Sequence, residues 1–304
     1  CLSISIRAGA SRECTMECKD RKGMPVPSDA QQDAILRKLY GTAGGRMVLK
    51  VLVRPWVSRL GGAVLSSRIS KLAIPGFVKK NGIDMRQYEH KRYKSYNDFF
   101  TRRIRKGMRP VEPEPAGFIS PCDSRLTVHE ICDGASFHIK NTQYTMHSLF
   151  RDSRLAEEYR GGLLLSFRLT VDDYHRYCYT DNGTKSCDTY INGVFHTVNP
   201  FAGQILPIYK ENSRCYCALE TENFGKLLHM EVGALMVGKI VNYHKHGGFS
   251  FKRGQEKGRF EFGGSTVILC VKKDVLRVDE DILANSREGI ETKVRMGEKI
   301  GERI

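Results

Sequence analysis

The chain has no uninterrupted run of the roughly 18–20 apolar residues that a spanning helix requires, which excludes a helical transmembrane anchor of ordinary kind. Its most apolar basic stretch shows why: Met47–Leu49 and Val51–Val53 are cut by Lys50 and Arg54. No CxxC pair exists among the ten cysteines, Cys1, Cys14, Cys18, Cys122, Cys132, Cys178, Cys187, Cys215, Cys217 and Cys270. That spacing excludes a pinched metal centre or dithiol motif, and we expect reduced thiols in a cytosolic compartment, most of them small core residues. Zinc-finger spacing, RRM-type aromatic motifs and basic regions leading into heptads are also missing, so no nucleic-acid partner is expected. There is no long internal repeat and no low-complexity tract. The first residues lack the charged region, apolar core and cleavage site of a signal peptide. We expect Met16 or Met24 to be the true start and residues 1–33 to form an uncertain, mobile N-terminus.

Of 304 residues, 40% are hydrophobic and 27% charged, ordinary values for a globular protein long enough to bury a sizeable core. The net charge of +15 is unevenly placed. Residues 34–110 hold 19 Lys/Arg against three acids, a net of +16, and the rest of the chain sums to −1. A basic block beside a near-neutral body points to an anionic partner such as a membrane surface. Residues 30–74 read as helical, with Leu49, Leu52, Val53, Trp56 and Leu60 on one face at 3.6-residue spacing. Pro55 suits the first position of a second helix. The pattern fits a helical hairpin packed on the body. It fits equally an interfacial segment with Trp56 at headgroup depth and arginines reaching phosphates.

Ser95-Tyr-Asn-Asp98 opens a helix over Ser95–Arg105, with an acid at the capping-box position. Pro110, Pro113 and Pro115 mark a linker. After Gly117 short alternating segments recur at Arg125–Cys132, Leu163–Leu169, Thr189–Val198, Cys215–Thr221, Lys226–Val232, Leu235–Tyr243 and Val267–Val271. Their spacing and glycine-rich punctuation predict a strand-rich domain of antiparallel hairpins, interrupted by one helix, Ser153–Arg160, that stops at Gly161.

Three places collect reactive groups: Ser120-Pro-Cys-Asp123-Ser-Arg before a strand, Val171-Asp172-Asp173-Tyr174-His175-Arg176-Tyr-Cys178 after one, and Phe262-Gly263-Gly264-Ser265-Thr266. Gly-Gly-Ser-Thr fits an ordinary turn. It also sets a hydroxyl beside the least shielded carbonyl in the chain. Ser265 Oγ can attack the Gly264 carbonyl, shift the acyl group to oxygen and cut the backbone, and elimination would leave Ser265 as a pyruvoyl group. Attack needs a base, and a histidine oriented by a buried carboxylate supplies one. His175 and Asp123 are the candidates.

These segments together resemble the phosphatidylserine decarboxylases, from about Ile35 to about Asp274. Ser95-Tyr-Asn-Asp-Phe-Phe-Thr-Arg-Arg103, Ile119-Ser-Pro-Cys-Asp123, Asp173-Tyr-His175-Arg, Asn223-Phe-Gly, Glu231-Val-Gly-Ala and Lys252 to Thr266 carry the likeness, the last most specifically. Ser124 stands where the family usually has glycine. The resemblance implies an α+β protein with a helical membrane-associating region at 34–110 and a mainly antiparallel catalytic domain at 111–304. It implies self-cleavage between Gly264 and Ser265 into a β fragment, 1–264, and an α fragment, 265–304, with Asp123, His175 and Ser265 as the catalytic set. The pyruvoyl group, with no metal, would form a Schiff base with phosphatidylserine, release CO₂ and give phosphatidylethanolamine. The protein would then lie peripherally on an anionic membrane at the cytoplasmic face, and the sequence allows a homodimer without requiring one. Family members commonly carry a second histidine, His-Arg-X-His, where this chain has Cys178. Cys178 is therefore a candidate proton-transfer partner, His175 the favoured base, and Arg176, Tyr174 and His229 weaker substrate contacts. The alternatives are a relative acting on another serine lipid or an amino acid, and a non-catalytic membrane-binding relative.

Overall fold

A computed structural model of the protein describes residues 17–27, 38–52, 54–132, 136–139, 142–194, 211–233, 239–261 and 265–304. Most of the 1–33 segment, the end of the expected Thr189–Val198 strand, the start of Leu235–Tyr243 and the Phe262-Gly263-Gly264 run lie outside these. The fold is strand-rich and α+β. One ten-stranded sheet runs in the order Cys18–Lys19, Glu291–Val294, Ser124–Glu130, Leu163–Leu169, Ser265–Val271, Gly225–Val232, Arg214–Thr221, Gly183–Lys185 and Phe249–Phe251, with Thr189–Ile191 also paired to Arg214–Thr221. Among the described residues every strand pair is antiparallel except the first, Cys18–Lys19 against Glu291–Val294. Among the described residues two three-stranded sheets and a two-stranded one accompany it, one of the three-stranded pair built from Lys239–Asn242, Glu256–Glu261 and Arg176–Cys178.

The centre of the large sheet follows from composition. Leu163–Leu169 (LLLSFRL) and Ser265–Val271 (STVILCV) are nearly continuous apolar runs, and almost every residue in both is buried. A run without alternation has no face to offer water, so it belongs in the middle of a covered sheet. The two lie side by side with Ser265 opposite Leu169, while Gly225–Val232 flanks the other side with Glu231 opposite Val267. By the two-residue period, Ser265, Val267 and Leu269 share one face with Glu231 and His229. In the smaller sheet Gly258 has no room for a side chain: a Cβ there would meet the Tyr177 hydroxyl at 2.7 Å and the Asn242 Oδ1 at 2.9 Å.

Helices occupy Ala43–Leu52, Pro55–Ser66 and Ile74–Lys80. Pro55 starts the second, as its fixed φ and missing N–H favour. That restart divides the expected single face, so Leu49 is buried and Leu60 exposed; Val53 and the Trp56 side chain lie outside the described residues. The helix expected over Ser95–Arg105 stops at Phe100. Beyond it the Thr101 and Arg102 carbonyls accept from Arg176, and the chain extends to bridge Ile104 to Tyr88. Ser95 caps this helix by accepting from the Asp98 N–H. The helix expected over Ser153–Arg160 forms but ends at Glu158, with Gly161 following at φ +71°, and Met146–Phe150 and Glu280–Arg287 are helical too. The first is nucleated by a Thr145–Ser148 capping box that lacks the usual acid. Among the described residues no helix is long and apolar enough to cross a membrane.

A cut ahead of Ser265 would not free the C-terminal piece. Ser265–Val271 is hydrogen-bonded on both sides to upstream strands, and Glu291–Val294 pairs with Ser124–Glu130 and with Cys18–Lys19. Arg21 adds ion pairs to Asp279 and Asp281. The two pieces should therefore co-elute on gel filtration in native buffer and separate only in denaturant. Separation of a cut chain in native buffer would contradict this interlocking.

Candidate active site

Ser265 and His175 meet because one strand ends where another begins. Ser265 opens its strand beside Leu169, the last residue of Leu163–Leu169. The chain leaving Leu169 makes a turn and delivers His175 just before the Arg176–Cys178 strand. The His175 carbonyl accepts from the Phe260 N–H at 2.9 Å, fixing the end of this connection. Ser265 Oγ lies 3.3 Å from His175 Nδ1, and both residues are wholly buried. The other ring nitrogen, Nε2, sits 2.8 Å from the Thr170 carbonyl. A carbonyl only accepts, so Nε2 carries the proton and Nδ1 presents its lone pair to the serine hydroxyl. The Phe100 ring covers the imidazole at 4.1 Å between centroids.

Burial lowers the pKa of His175 to about 4. Asp173 and the Thr170 carbonyl pull the other way, while Arg102 and Lys293 add to the lowering. The ring is thus neutral and able to accept a proton across the physiological range. Asp173 is buried as well. Burial pushes its carboxyl up, but the Lys293 charge and the Thr170 N–H and hydroxyl, each 2.7 Å from Oδ2, outweigh this and hold it below its ordinary value.

Asp123 does not orient the imidazole. Its carboxylate takes Arg109 in a two-pronged ion pair, with Nη2 at 2.6 Å, and accepts the Met296 N–H at 2.9 Å. The guanidinium fork matches the carboxylate and satisfies it, and the Thr170 carbonyl fills the orienting place expected of Asp123. Cys178 is buried, its thiol pushed up to about 12 by burial, and hydrogen-bonded among the described residues to neither His175 nor Ser265. A thiol that stays protonated is no base. Gly264 lies outside the described residues. Arg176 binds Glu256 and the Thr101 carbonyl, Tyr174 packs on Tyr88, and His229 is fully buried on the sheet face that Ser265 shares. Among the described residues no three His, Cys, Asp or Glu side chains cluster in a way that could hold a metal. Sequence reasoning missed Thr170, Phe100, Arg109 and Lys293. Phe100 stands inside a motif and could have been found there, but nothing local marks the other three.

The proton balance has a visible sign. The folded ring's pKa is below that of a free imidazole, so on acidification the unfolded chain takes the proton first. Stability from this group is present above about pH 6.5 and is lost as pH falls toward about 4. If Ser265 cuts the chain with His175 as its base, the cut should run at constant rate from about pH 8 to about pH 5 and slow only on approach to about 4. Intact-mass time courses of the full chain would read it. A decline centred near 6.5 would contradict the burial argument.

Against known proteins, residues 96–302 match the phosphatidylserine decarboxylase family. The chain is 48% identical over 268 residues to phosphatidylserine decarboxylase proenzyme 2 of Clostridium acetobutylicum, covering 88% of this chain and 91% of the relative. It is 39% identical over 275 residues to the phosphatidylserine decarboxylase proenzyme of Ruminiclostridium cellulolyticum, covering 89% and 91%. With that of Clostridium perfringens strain ATCC 13124 the identity is 37% over 283 residues, covering 90% and 96%. Identity at this level over nearly the whole length makes the chain a member of the phosphatidylserine decarboxylase family.

Proposed function

We propose that the chain is a phosphatidylserine decarboxylase, a carboxy-lyase that matures by cutting itself between Gly264 and Ser265. The observation that carries the reading is the Ser265 hydroxyl facing the unprotonated nitrogen of a buried, neutral histidine, in a chain whose relatives are named as proenzymes of that activity. His175 takes the hydroxyl proton as Ser265 Oγ attacks the Gly264 carbonyl carbon. The Gly264 C–N bond breaks, the Ser265 nitrogen takes up the proton, and an ester joins the pieces. Loss of the Cα proton expels Gly264 as a carboxylate, and water then releases the nitrogen as ammonia. A pyruvoyl group remains at position 265.

That group fits, since it needs no more room than the serine it replaces. It supplies an electrophilic carbonyl that engages the substrate amine and takes up the electron pair left as CO₂ departs. His175 contacts position 265 and is therefore the group placed to exchange protons there. In this reading Asp123 acts by fixing Arg109 and the Met296 amide, and Cys178 has no part in proton transfer.

A two-chain phospholipid must be met at a bilayer surface. Residues 34–110 suit that task and 111–304 the chemistry; of the expected mobile segment 1–33, Cys18–Lys19 and Arg21 instead pack on the second of these through a strand pairing and ion pairs. Met47, Ile69 and Leu72 are 73%, 77% and 75% exposed, with Lys50, Arg54, Arg68, Lys71, Lys79 and Lys80 exposed on the same helical region. Apolar side chains ringed by cations fit an anionic interface, here the cytoplasmic face of the cell membrane. The same region walls the site through Phe100, Arg102 and Arg109.

Wild-type chain should divide into pieces ending at Gly264 and beginning at position 265, and release CO₂ from phosphatidylserine vesicles. Ser265→Ala should stay whole and silent, and Cys178→Ala should cut normally. A wild-type chain active while uncut would refute the reading. In flotation assays, Arg68→Glu and Lys71→Glu should each weaken binding to anionic vesicles about fivefold or more. Binding to zwitterionic vesicles should not change. Equal loss on both vesicle types would remove the electrostatic part of the argument.

A further inference from the structure

We infer that Asp173 and Lys293 are positioning residues that hold the proton on Nε2 of His175, and so keep the Nδ1 lone pair aimed at Ser265. The inference rests on His175 being the base of self-cleavage and extends that reading to two residues that touch neither reacting atom.

Among the described residues the ring N–H has one acceptor, the Thr170 carbonyl. Two further contacts fix the peptides around that carbonyl. The Asp173 N–H donates to the same oxygen at 3.0 Å, closing a turn from Thr170 to Asp173. Asp173 Oδ2 accepts from the Thr170 N–H and the Thr170 hydroxyl at 2.7 Å each, closing the turn from the other side. Both bonds converge on one carboxyl oxygen, and they are stronger when the carboxylate is ionised. Asp173 is 5% exposed, and a buried carboxylate without a cation tends to take a proton and become a donor itself. Lys293 Nζ on Oδ1 prevents that. Arg102 adds its Nη2 to the Asp172 and Asp173 carbonyls, holding the loop's backbone but not this carboxylate.

Without the carboxylate, only the Asp173 N–H still closes the turn on the Thr170 carbonyl, the Thr170 N–H and hydroxyl lose their acceptor, and the carbonyl's aim at Nε2–H loosens. The proton then has no reason to stay on Nε2. Once on Nδ1 it faces the serine hydroxyl with a donor instead of a lone pair, and the base is gone while the ring is still in place. Which nitrogen carries the proton is decided by the hydrogen bond the other one makes.

The pair also crosses the cleavage point. Asp173 lies upstream of Ser265. Lys293 lies downstream in Glu291–Val294, held opposite Arg125 by strand register. The C-terminal piece therefore supplies the cation that keeps the histidine-bearing loop of the N-terminal piece in order, before the cut and after it.

The test tracks the full-length precursor by pulse-chase and denaturing electrophoresis. Asp173→Ala and Lys293→Met should each lengthen its half-life about 100-fold, the scale of a small misplacement of a reacting group. Lys293→Arg should restore most of the rate. Thr170→Val keeps the ion pair and removes one hydroxyl bond, so about fivefold slowing is expected even if the harsher variants fold poorly. A second readout separates positioning from mere structural damage. In the uncut Ser265→Ala chain, ¹H–¹⁵N correlations of the His175 ring should report the Nε2-protonated tautomer, and adding Asp173→Ala should bring in the Nδ1-protonated one. Folded Asp173→Ala cutting at the wild-type rate overturns the inference. So does slow cutting with the tautomer unchanged. His175→Ala cutting normally would instead defeat the assignment of the base, leaving the tautomer measurement to judge the Asp173 contact separately.

Discussion

The hydrogen bond between Ser265 Oγ and His175 Nδ1 is the contact on which the rest depends. It demands three things at once: a ring that is neutral, a ring whose proton sits on the far nitrogen, and a serine held against it at the start of a strand. The first comes from burial, which disfavours the imidazolium. The second comes from the Thr170 carbonyl. The third comes from register, since a slip of one residue in Ser265–Val271 would send the hydroxyl to the opposite face of the sheet. Central placement makes such a slip costly, because it would also turn every apolar side chain of a fully buried strand.

A loop that carries a base inside a dry interior needs its own backbone held, and cations of the basic segment take part in this. Arg102 reaches the Asp172 and Asp173 carbonyls from between the Tyr88 and Phe99 rings. Arg176, in return, donates to the Thr101 and Arg102 carbonyls. Arg109 binds Asp123. One stretch of chain thus does two structural jobs, since the residues after Tyr96 hold the histidine loop while the helices before them present apolar and cationic side chains outward.

How much of this is legible in the sequence depends on the physical origin of each signal. Leu163–Leu169 is legible to the residue because an apolar run between turn signals reflects its own burial. The start of the helix after Ser95 is legible through its cap. Its early end is not, because Arg176, more than seventy residues away, takes the carbonyls that would have continued it. The pairing of Ser265 with His175 rests on chemistry: a hydroxyl beside Gly-Gly needs a base, and few candidates stand in turns beside strands. Assigning Asp123 as the orienting group fails for an instructive reason. A carboxylate is the usual partner of such an imidazole, but a backbone carbonyl accepts the same ring N–H here and leaves no mark in composition or spacing. Arg109 and Lys293 are invisible likewise, being two of 49 basic residues whose neighbours only the fold decides.

Burial of the pair has a consequence beyond the state of the ring. An ester at Ser265 has two exits: hydrolysis, which would give back an ordinary serine at a new N-terminus, and elimination, which leads to a pyruvoyl group. Water favours the first and a correctly placed base the second. Ser265 and His175 are both fully buried, and Phe100 lies over the ring, so in the proposed self-cleavage water would be kept from the ester at the stage when it would do harm. The same dryness that keeps His175 neutral would bias the branch of that proposed reaction after its first proton transfer. A mutation that wetted this site without moving either residue, by shrinking Phe100 for example, should yield a cut chain with a free serine end and no ketone, because the first step survives and the second loses its advantage. Complete ketone formation in such a chain would mean that base placement alone selects the exit.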